Sequence, residues 1–524
     1  MPPHLLYPKN TKISVTDSNK TLSFGTNTDN ILVMRFNLSI QHLKKAATSH
    51  IYQHRIGLLR GFAHAAAIGI VLSFIAWNCL DSLGYKSVNK KHDAYHQVKY
   101  AYHLVHEGAF TRVIETDGTP RRDAYREPLF AVYMALGIFL NGSQHSASLE
   151  DLVRGHSAHR LRRWQVPVLL ATALLVFLVV RRMARRYWLS YGAMSLVGLS
   201  FTLNHSVAAL TTEHHAAFWT LAVSFLIFLC VRSHRRWCCI ATGCCMGILV
   251  LNKASFMFLI WPLLLFLFLV GKNKGVTTKT LLINLAILLL CYLIPVGGWM
   301  VRNYGQYGTF FLTHRAGNIL AIREAYNRMS DEEFAGAFLY WTPDPGAIKK
   351  MKEEFGENAT QEGGALQNLN RSNDKSYYRR GRHVRNKILK EHGEETPYTD
   401  SLVREIAMSR IKNHPLKHLR AMLPLGWRSV FIESGFGFHM PLTLEITDSA
   451  AVSLILLAAF IGSVILGIIR KRWDWIGFVL PSSYLLCLNV AASHCLPRYN
   501  FPLIPIFVIA TLLVVSLQKT TINS

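Results

Sequence analysis

The sequence predicts an all-α, polytopic membrane protein, and three observations carry that expectation. Apolar residues make up 51% of the 524-residue chain, and they are clumped into runs rather than spread. Windows such as Ala254–Gly271, Leu281–Val301, Ala450–Ile469 and Phe501–Leu517 are nearly free of charge. A run of about 17 or more such residues crosses a hydrocarbon core of ~30 Å as a helix. Lys and Arg concentrate in the short turns between runs, as in Arg181-Arg182, Arg185-Arg186, Arg235-Arg236 and Arg470-Lys471-Arg472.

In chain order, residues 1–58 are polar and basic and read as a cytoplasmic arm. No cleavable signal peptide is visible, so the first apolar run reads as an uncleaved anchor, with Met34 an alternative start to Met1. Spans are expected near 62–80, 128–142, 164–181, 187–206, 213–231, 237–251, 254–271, 281–301, 449–469, 474–492 and 501–517, a bundle of about 11 transmembrane helices. Residues 59–301 form an N-terminal transmembrane module with an outer loop 81–127, residues 302–447 a long second outer loop, and residues 448–524 the C-terminal helices and tail. The basic turns belong in the cytoplasm by the positive-inside rule, with Lys44, Lys45, Arg55 and Arg60 of the arm. The turns near Thr211–His215, Asn252–Ser255 and His494–Arg498 then face outside, as do both long loops. The run 128–142 is short for a span, and counting it as a crossing inverts everything after it. It is re-entrant, or a further crossing lies in the basic stretch 143–163.

The formal net charge of +26 follows from these turns and not from a nucleic-acid surface, so no nucleic-acid partner is expected. Part of that charge is placed to meet lipid phosphates. The nine Cys lie mostly inside apolar runs and form no C-x-x-C, which suits small helix-packing residues and not a disulfide framework. Residues 331–400 mix acidic, basic and Gly-rich stretches and are expected to form short helices. The stretch "REIAMSRIKNHPLKHLRAML" (Arg404–Leu423) has apolar residues at helical spacing, interrupted by Pro415, and predicts amphipathic helices lying on the membrane.

The stretch "HDAYHQVKYAYHLVHEGAF" (His92–Phe110) follows the first apolar run and is rich in ionisable groups. Read as a helix, it puts Ala94, Val98, Ala101 and Val105 on one stripe and Asp93, His96, Tyr100, His103 and Glu107 on another. This amphipathic helix is expected at the outer interface, its apolar stripe in lipid and its polar stripe facing outward or into a cleft. "YREPLF" places Arg126 where the chain re-enters the bilayer. "TTEHHAAFW" places Glu213, "VRNYGQYGTF" places Arg302, and "SHCLPRYNFPLIP" places His494 and Arg498 at outer ends of spans. Singly, such residues snorkel or cap helices. Together they outline an outer cleft with carboxylates on one wall and guanidinium groups on another.

The order Asp93-x-Tyr95, Arg126-x-Pro128-Leu129-Phe130, Glu213, Arg302-Asn303-Tyr304-x-x-Tyr307-Gly308-x-Phe310 and Arg498-Tyr499-x-x-Pro502-x-x-Pro505 resembles the GT-C superfamily of membrane glycosyltransferases. More narrowly it resembles the branch with the protein O-mannosyltransferases and the bacterial aminoarabinose-to-lipid A transferases, over roughly residues 60–515. The resemblance implies a GT-C-like bundle in the inner (cytoplasmic) membrane, its active site facing the periplasm or exterior. It implies a polyprenyl-phosphate sugar donor and an acceptor lipid, glycan or protein. Transfer would invert the anomeric carbon, with Asp93 as base and Glu213 orienting acceptor or sugar. Arg126, Arg302 and Arg498 would hold the donor phosphate, since a guanidinium fork binds phosphate bidentately and keeps its charge. His96, Tyr100 and His494 would contact acceptor or sugar. Members of the family often carry a second acid beside the first-loop Asp; here the neighbours are His92 and Ala94, which weighs against a dyad or metal. His92, His96, His103 and His106 with Asp93 and Glu107 offer ligands in a spacing that matches no closed site, so no metal site is assigned and a divalent ion stays open. An O-antigen ligase or polymerase and a lipid-linked sugar transporter are the alternatives. A transporter would want ionisable groups near mid-membrane, whereas these sit at helix ends.

Overall fold

The computed structural model describes residues 58–90, 93–437 and 449–519, with no side-chain detail for 515–519. The basic arm up to residue 57 and His92 lie outside the described residues. The chain divides into two units, 1–67 and 68–524. Of the first, the described part is the start of a helix, α1 (Leu58–Ser82).

The second unit continues with α2 (Asp93–His106), α3 (Pro128–Leu140), α4 (Gly155–Ala184), α5 (Tyr187–Gly198), α6 (Phe201–Ala208), α7 (Glu213–Ser233), α8 (Arg236–Asn252), α9 (Ala254–Asn273) and α10 (Thr278–Tyr307). The stretch between α10 and the last three helices adds α11 (Ala316–Ala325), α12 (Asp331–Trp341), α13 (Pro345–Phe355), α14 (Tyr377–His392), α15 (Pro397–Asn413) and α16 (Pro415–Val430). The chain closes with α17 (Ser449–Ile469), α18 (Trp473–Ala492) and α19 (Pro497–Val514). Among the described residues the protein is helical, with two isolated β-bridges and no strand longer than that. All nine cysteines are free.

Among the described residues, eight helices are long and apolar enough to cross a membrane: α1, α4, α7, α9, α10, α17, α18 and α19. The other three expected spans are shorter. Helices α3 and α8 have 13 and 17 residues, so at 1.5 Å per residue α3 reaches only ~20 Å of a core ~30 Å thick. The stretch 187–206 is broken into α5 and α6 at Ser200, whose Oγ accepts from the Leu203 amide and donates to the buried Glu433. Glu433 also accepts from the amides of Thr202 (3.2 Å) and Gly435 (3.2 Å), so the segment that follows α16 is sewn into the break. No separate crossing lies in 143–163: those residues form short turns and the start of α4.

Helix α2 departs from its expected place. Val98 and Ala101 are fully buried and Ala94 is nearly so, packed with Phe130, Met134 and Ile138 of α3 and with Leu152 and Leu161. The apolar stripe therefore meets protein, not lipid. Helix α3 is apolar on every side, with part of its surface left open at Val132, Leu136 and Phe139, and α2 covers another face.

Three helices run between the same two hollows, α7 and α9 in one direction and α18 in the other. The N-terminus of α7, the N-terminus of α9 and the C-terminus of α18 border one cavity, through Glu213, Ala254 and Asn489. Their opposite ends meet at a second hollow lined by Arg232, Lys274, Lys471, Trp473 and Asp474. Helices of 21, 20 and 20 residues separate the two by ~30 Å. The basic turns and the acid-and-arginine cluster thus occupy opposite ends of the bundle.

Candidate active site

Asp93 sits in the first turn of α2, where a carboxylate suits the positive end of the helix. Its Oδ1 accepts a short hydrogen bond from Arg126 Nη2, and its Oδ2 accepts from Arg498 Nη2 at 3.1 Å. Arg126 is positioned by the folding of the first loop. Arg112 Nε donates to Asp123 Oδ2 at 2.6 Å, and Asp123 Oδ1 accepts from the Tyr125 amide at 2.9 Å, which fixes the chain entering α3. Arg498 is set by a polar knot behind it. Asn489 Nδ2 donates to Asn500 Oδ1 at 2.6 Å, and Asn500 Nδ2 donates to the Ser429 carbonyl at 3.1 Å.

These groups open onto a cavity of about 380 Å³. Its lining carries five cations, Arg126, Lys253, Arg315, Arg404 and Arg498, against three carboxylates, Asp93, Glu127 and Glu213. Lys253 Nζ donates to the Tyr499 carbonyl at 3.1 Å, and Glu127 Oε1 accepts from the Ala254 amide at 3.1 Å, opening α9. Arg315 stacks its guanidinium on the Tyr125 ring, 4.9 Å from the centroid. Leu210, Phe258, Ile319, Leu320, Met408 and Leu488 add apolar surface to the same lining.

The cavity is short of acceptors. Nε of Arg126, of Arg315 and of Arg498 is buried without a hydrogen-bond partner among the described residues. Two guanidinium groups, of Arg126 and Arg498, thus converge on one carboxylate with that of Arg315 lining the same cavity, and each keeps a donor without an acceptor, an arrangement that favours a further anion. Burial by itself would raise the Asp93 carboxyl, but Arg126, Arg315 and Arg498 hold it well below the usual carboxylate range. Lys253 is lowered by burial, opposed by Glu213 and Glu127.

Of the residues singled out in the sequence, Asp93, Arg126, Glu213 and Arg498 line this cavity together. The other four do not. His96 stands one turn along α2, half-buried; burial and then Arg126 and Arg112 push its ring down to about 4. Tyr100 is fully buried and stacks on Phe110 with centroids 4.2 Å apart. Arg302 clips the first loop instead of lining the cavity: Nη1 donates to the Asp123 carbonyl at 2.8 Å and Nη2 to the Phe110 carbonyl at 3.1 Å. His494 lies behind the site, its Nε2 3.2 Å from Tyr499 Oη, its ring held well down by burial and by the cations led by Arg428. Among the described residues, no three His, Cys, Asp or Glu converge as metal ligands would.

The structure adds Glu127, Lys253 and Arg315. Lys253 carried a signal, as the lone charge between Trp237 and Gly271 at an expected outer end. Arg315 carried none, since "FFLTHRAGN" shows no pattern that sets its Arg apart.

No family model matches the chain, and no curated protein matches it in sequence. Among solved structures, ArnT from Cupriavidus metallidurans in the apo state aligns at 13% identity over 84% of this chain and 85% of that chain, with a TM-score of 0.34. ArnT from the same organism bound to undecaprenyl phosphate aligns at 12% identity over 87% and 76%, with a TM-score of 0.30.

Proposed function

We propose that this protein is a membrane glycosyltransferase that moves a sugar from a polyprenyl-phosphate donor to an acceptor hydroxyl or amine at the outer face of the cell's inner membrane. The observation that carries this reading is Asp93 clasped by Arg126 and Arg498 beside the unpartnered guanidinium nitrogens of the same cavity. A cavity lined by both apolar and cationic side chains suits a ligand that is part lipid and part phosphate. The basic ends of α7, α9 and α18 belong in the cytoplasm by the positive-inside rule, which turns the cavity outward.

In this reading the acceptor oxygen attacks the anomeric carbon from the face opposite the phosphate. The new glycosidic bond forms as the bond from carbon to phosphate oxygen breaks, and the configuration inverts. Asp93 takes the acceptor's proton, and the polyprenyl phosphate leaves with its added negative charge on Arg126, Arg498 and Arg315. Glu213, on the same cavity, orients acceptor or sugar.

A carboxylate held as low as Asp93 is a weak base, and the geometry suggests how it becomes a stronger one. The donor phosphate engages the same guanidinium groups that bond Asp93. Sharing them weakens their pull on the carboxylate and raises its basicity when the donor is in place. Lipids, lipid A and surface glycans from cells carrying the intact protein or Asp93→Asn test the function by mass analysis. A single-hexose or single-pentose addition seen only with the intact protein supports transfer and names the product. Equal profiles in every fraction, secreted proteins included, with both forms folded in the membrane, would sink it.

A further inference from the structure

The hollow at the far end of the bundle is a second candidate site, about 260 Å³ in volume and independent of the transferase reading. Its cations come from three separate turns: Arg232 at the end of α7, Lys274 after α9, and Lys471 between α17 and α18. Charge that only holds turns in the cytoplasm can sit anywhere along each turn. Here it converges on one concavity. The single acid there, Asp474, is engaged by Arg472 at 3.1 and 3.3 Å and lies 3.9 Å from Arg232. No ion pair is found for Lys274 or Lys471 among the described residues; Lys274 Nζ donates to the Val231 carbonyl, and Nη1 of the adjoining Arg470 is buried without a hydrogen-bond partner.

Lys471 has φ +52°, a left-handed position after α17 that a glycine fills at lower cost. Trp473 lines the hollow, and Leu269, Ile468 and Ile469 of the neighbouring helix ends are exposed large apolar residues. A basic pocket between helix ends, edged with an indole and open aliphatic side chains, matches a phosphate headgroup with acyl chains running alongside.

We infer that this hollow binds a phosphate-bearing anion, carried by a phospholipid such as phosphatidylglycerol or supplied as free phosphate. Native mass spectrometry of the full-length protein in neutral detergent reads the retention of added phosphatidylglycerol against phosphatidylcholine. Millimolar inorganic phosphate serves as competitor. The intact protein should retain phosphatidylglycerol preferentially. Arg232→Gln and Lys471→Gly should each weaken that retention by about tenfold, the second in a backbone that glycine suits. Arg182→Gln/Arg186→Gln, which removes two charges from another basic turn, should leave it unchanged. Competition by phosphate assigns the site to the anion from either source; resistance to it assigns the site to the lipid. Equal retention of both lipids by the intact protein, or unaltered retention in Arg232→Gln and Lys471→Gly, would overturn the inference.

Discussion

Arg498 reaches across 405 positions of sequence to place its Nη2 3.1 Å from Oδ2 of Asp93. One carboxylate from the first turn of α2 and one guanidinium from the first turn of α19 thereby close a single site. Removing the carboxylate should separate chemistry from binding. Asp93→Asn is expected to lower transfer by about 10²- to 10⁴-fold, the usual contribution of a positioned base. It also leaves Arg126 and Arg498 without their counter-ion, so the donor should bind as well or more tightly. Turnover in nanodiscs together with equilibrium binding of a polyprenyl phosphate checks both halves. Loss of donor affinity in parallel with turnover would give Asp93 a structural role instead.

Replacing Arg126 or Arg498 by Lys keeps the charge and discards the fork. Each change should cost about 10²–10³-fold in kcat, because the lost donors face charge that grows as the phosphate leaves. Arg302→Gln serves as the contrast. Its two bonds to the carbonyls of Asp123 and Phe110 hold the first loop, and charged hydrogen bonds of this kind are worth about 1.5–3 kcal/mol each. That variant should unfold at a lower temperature while kcat per folded molecule stays within a few-fold of the intact protein.

His96 gives a pH signature. Burial and nearby cations lower its ring from 6.5 to about 4 in the folded protein. Between those values the unfolded chain binds a proton that the native state refuses, so stability rises with pH across the window and falls on acidification. The denaturation midpoint of the intact protein should therefore drop from pH 6.5 toward 4 more steeply than that of His96→Gln. Parallel curves would show that the ring is charged in the native state.

The amphipathic pattern of 93–107 was legible because helical periodicity survives whatever the helix packs on; what covers the apolar stripe was not. Its partner, α3, reads as a span by composition and falls short only in length. Asp93, Arg126, Glu213 and Arg498 were legible as charges at the ends of apolar runs, where a bilayer makes them costly without a purpose. Arg302 met the same criterion and lies on loop carbonyls outside the cavity, because end placement does not say which carbonyls lie in reach. The break at Ser200 depends on Glu433, far along the chain, and a hydropathy window cannot register such a partner.

Arg315 is the sharpest case of a residue seen only in three dimensions, and it yields the last expectation. Its guanidinium lies on the Tyr125 ring, helps hold down the Asp93 carboxyl, and leaves Nε unpartnered. Arg315→Gln should weaken donor binding by about tenfold or more, as the loss of a charged hydrogen bond to phosphate does. Removing one of the three cations should also let the Asp93 carboxyl rise toward its ordinary range in the empty cavity. Arg315→Gln should thus start losing rate on acidification at a higher pH than the intact protein, when kcat/KM is followed from pH 8 downward. Donor affinity and acid limb both unchanged would remove Arg315 from the site and leave the phosphate to Arg126, Arg498 and Lys253.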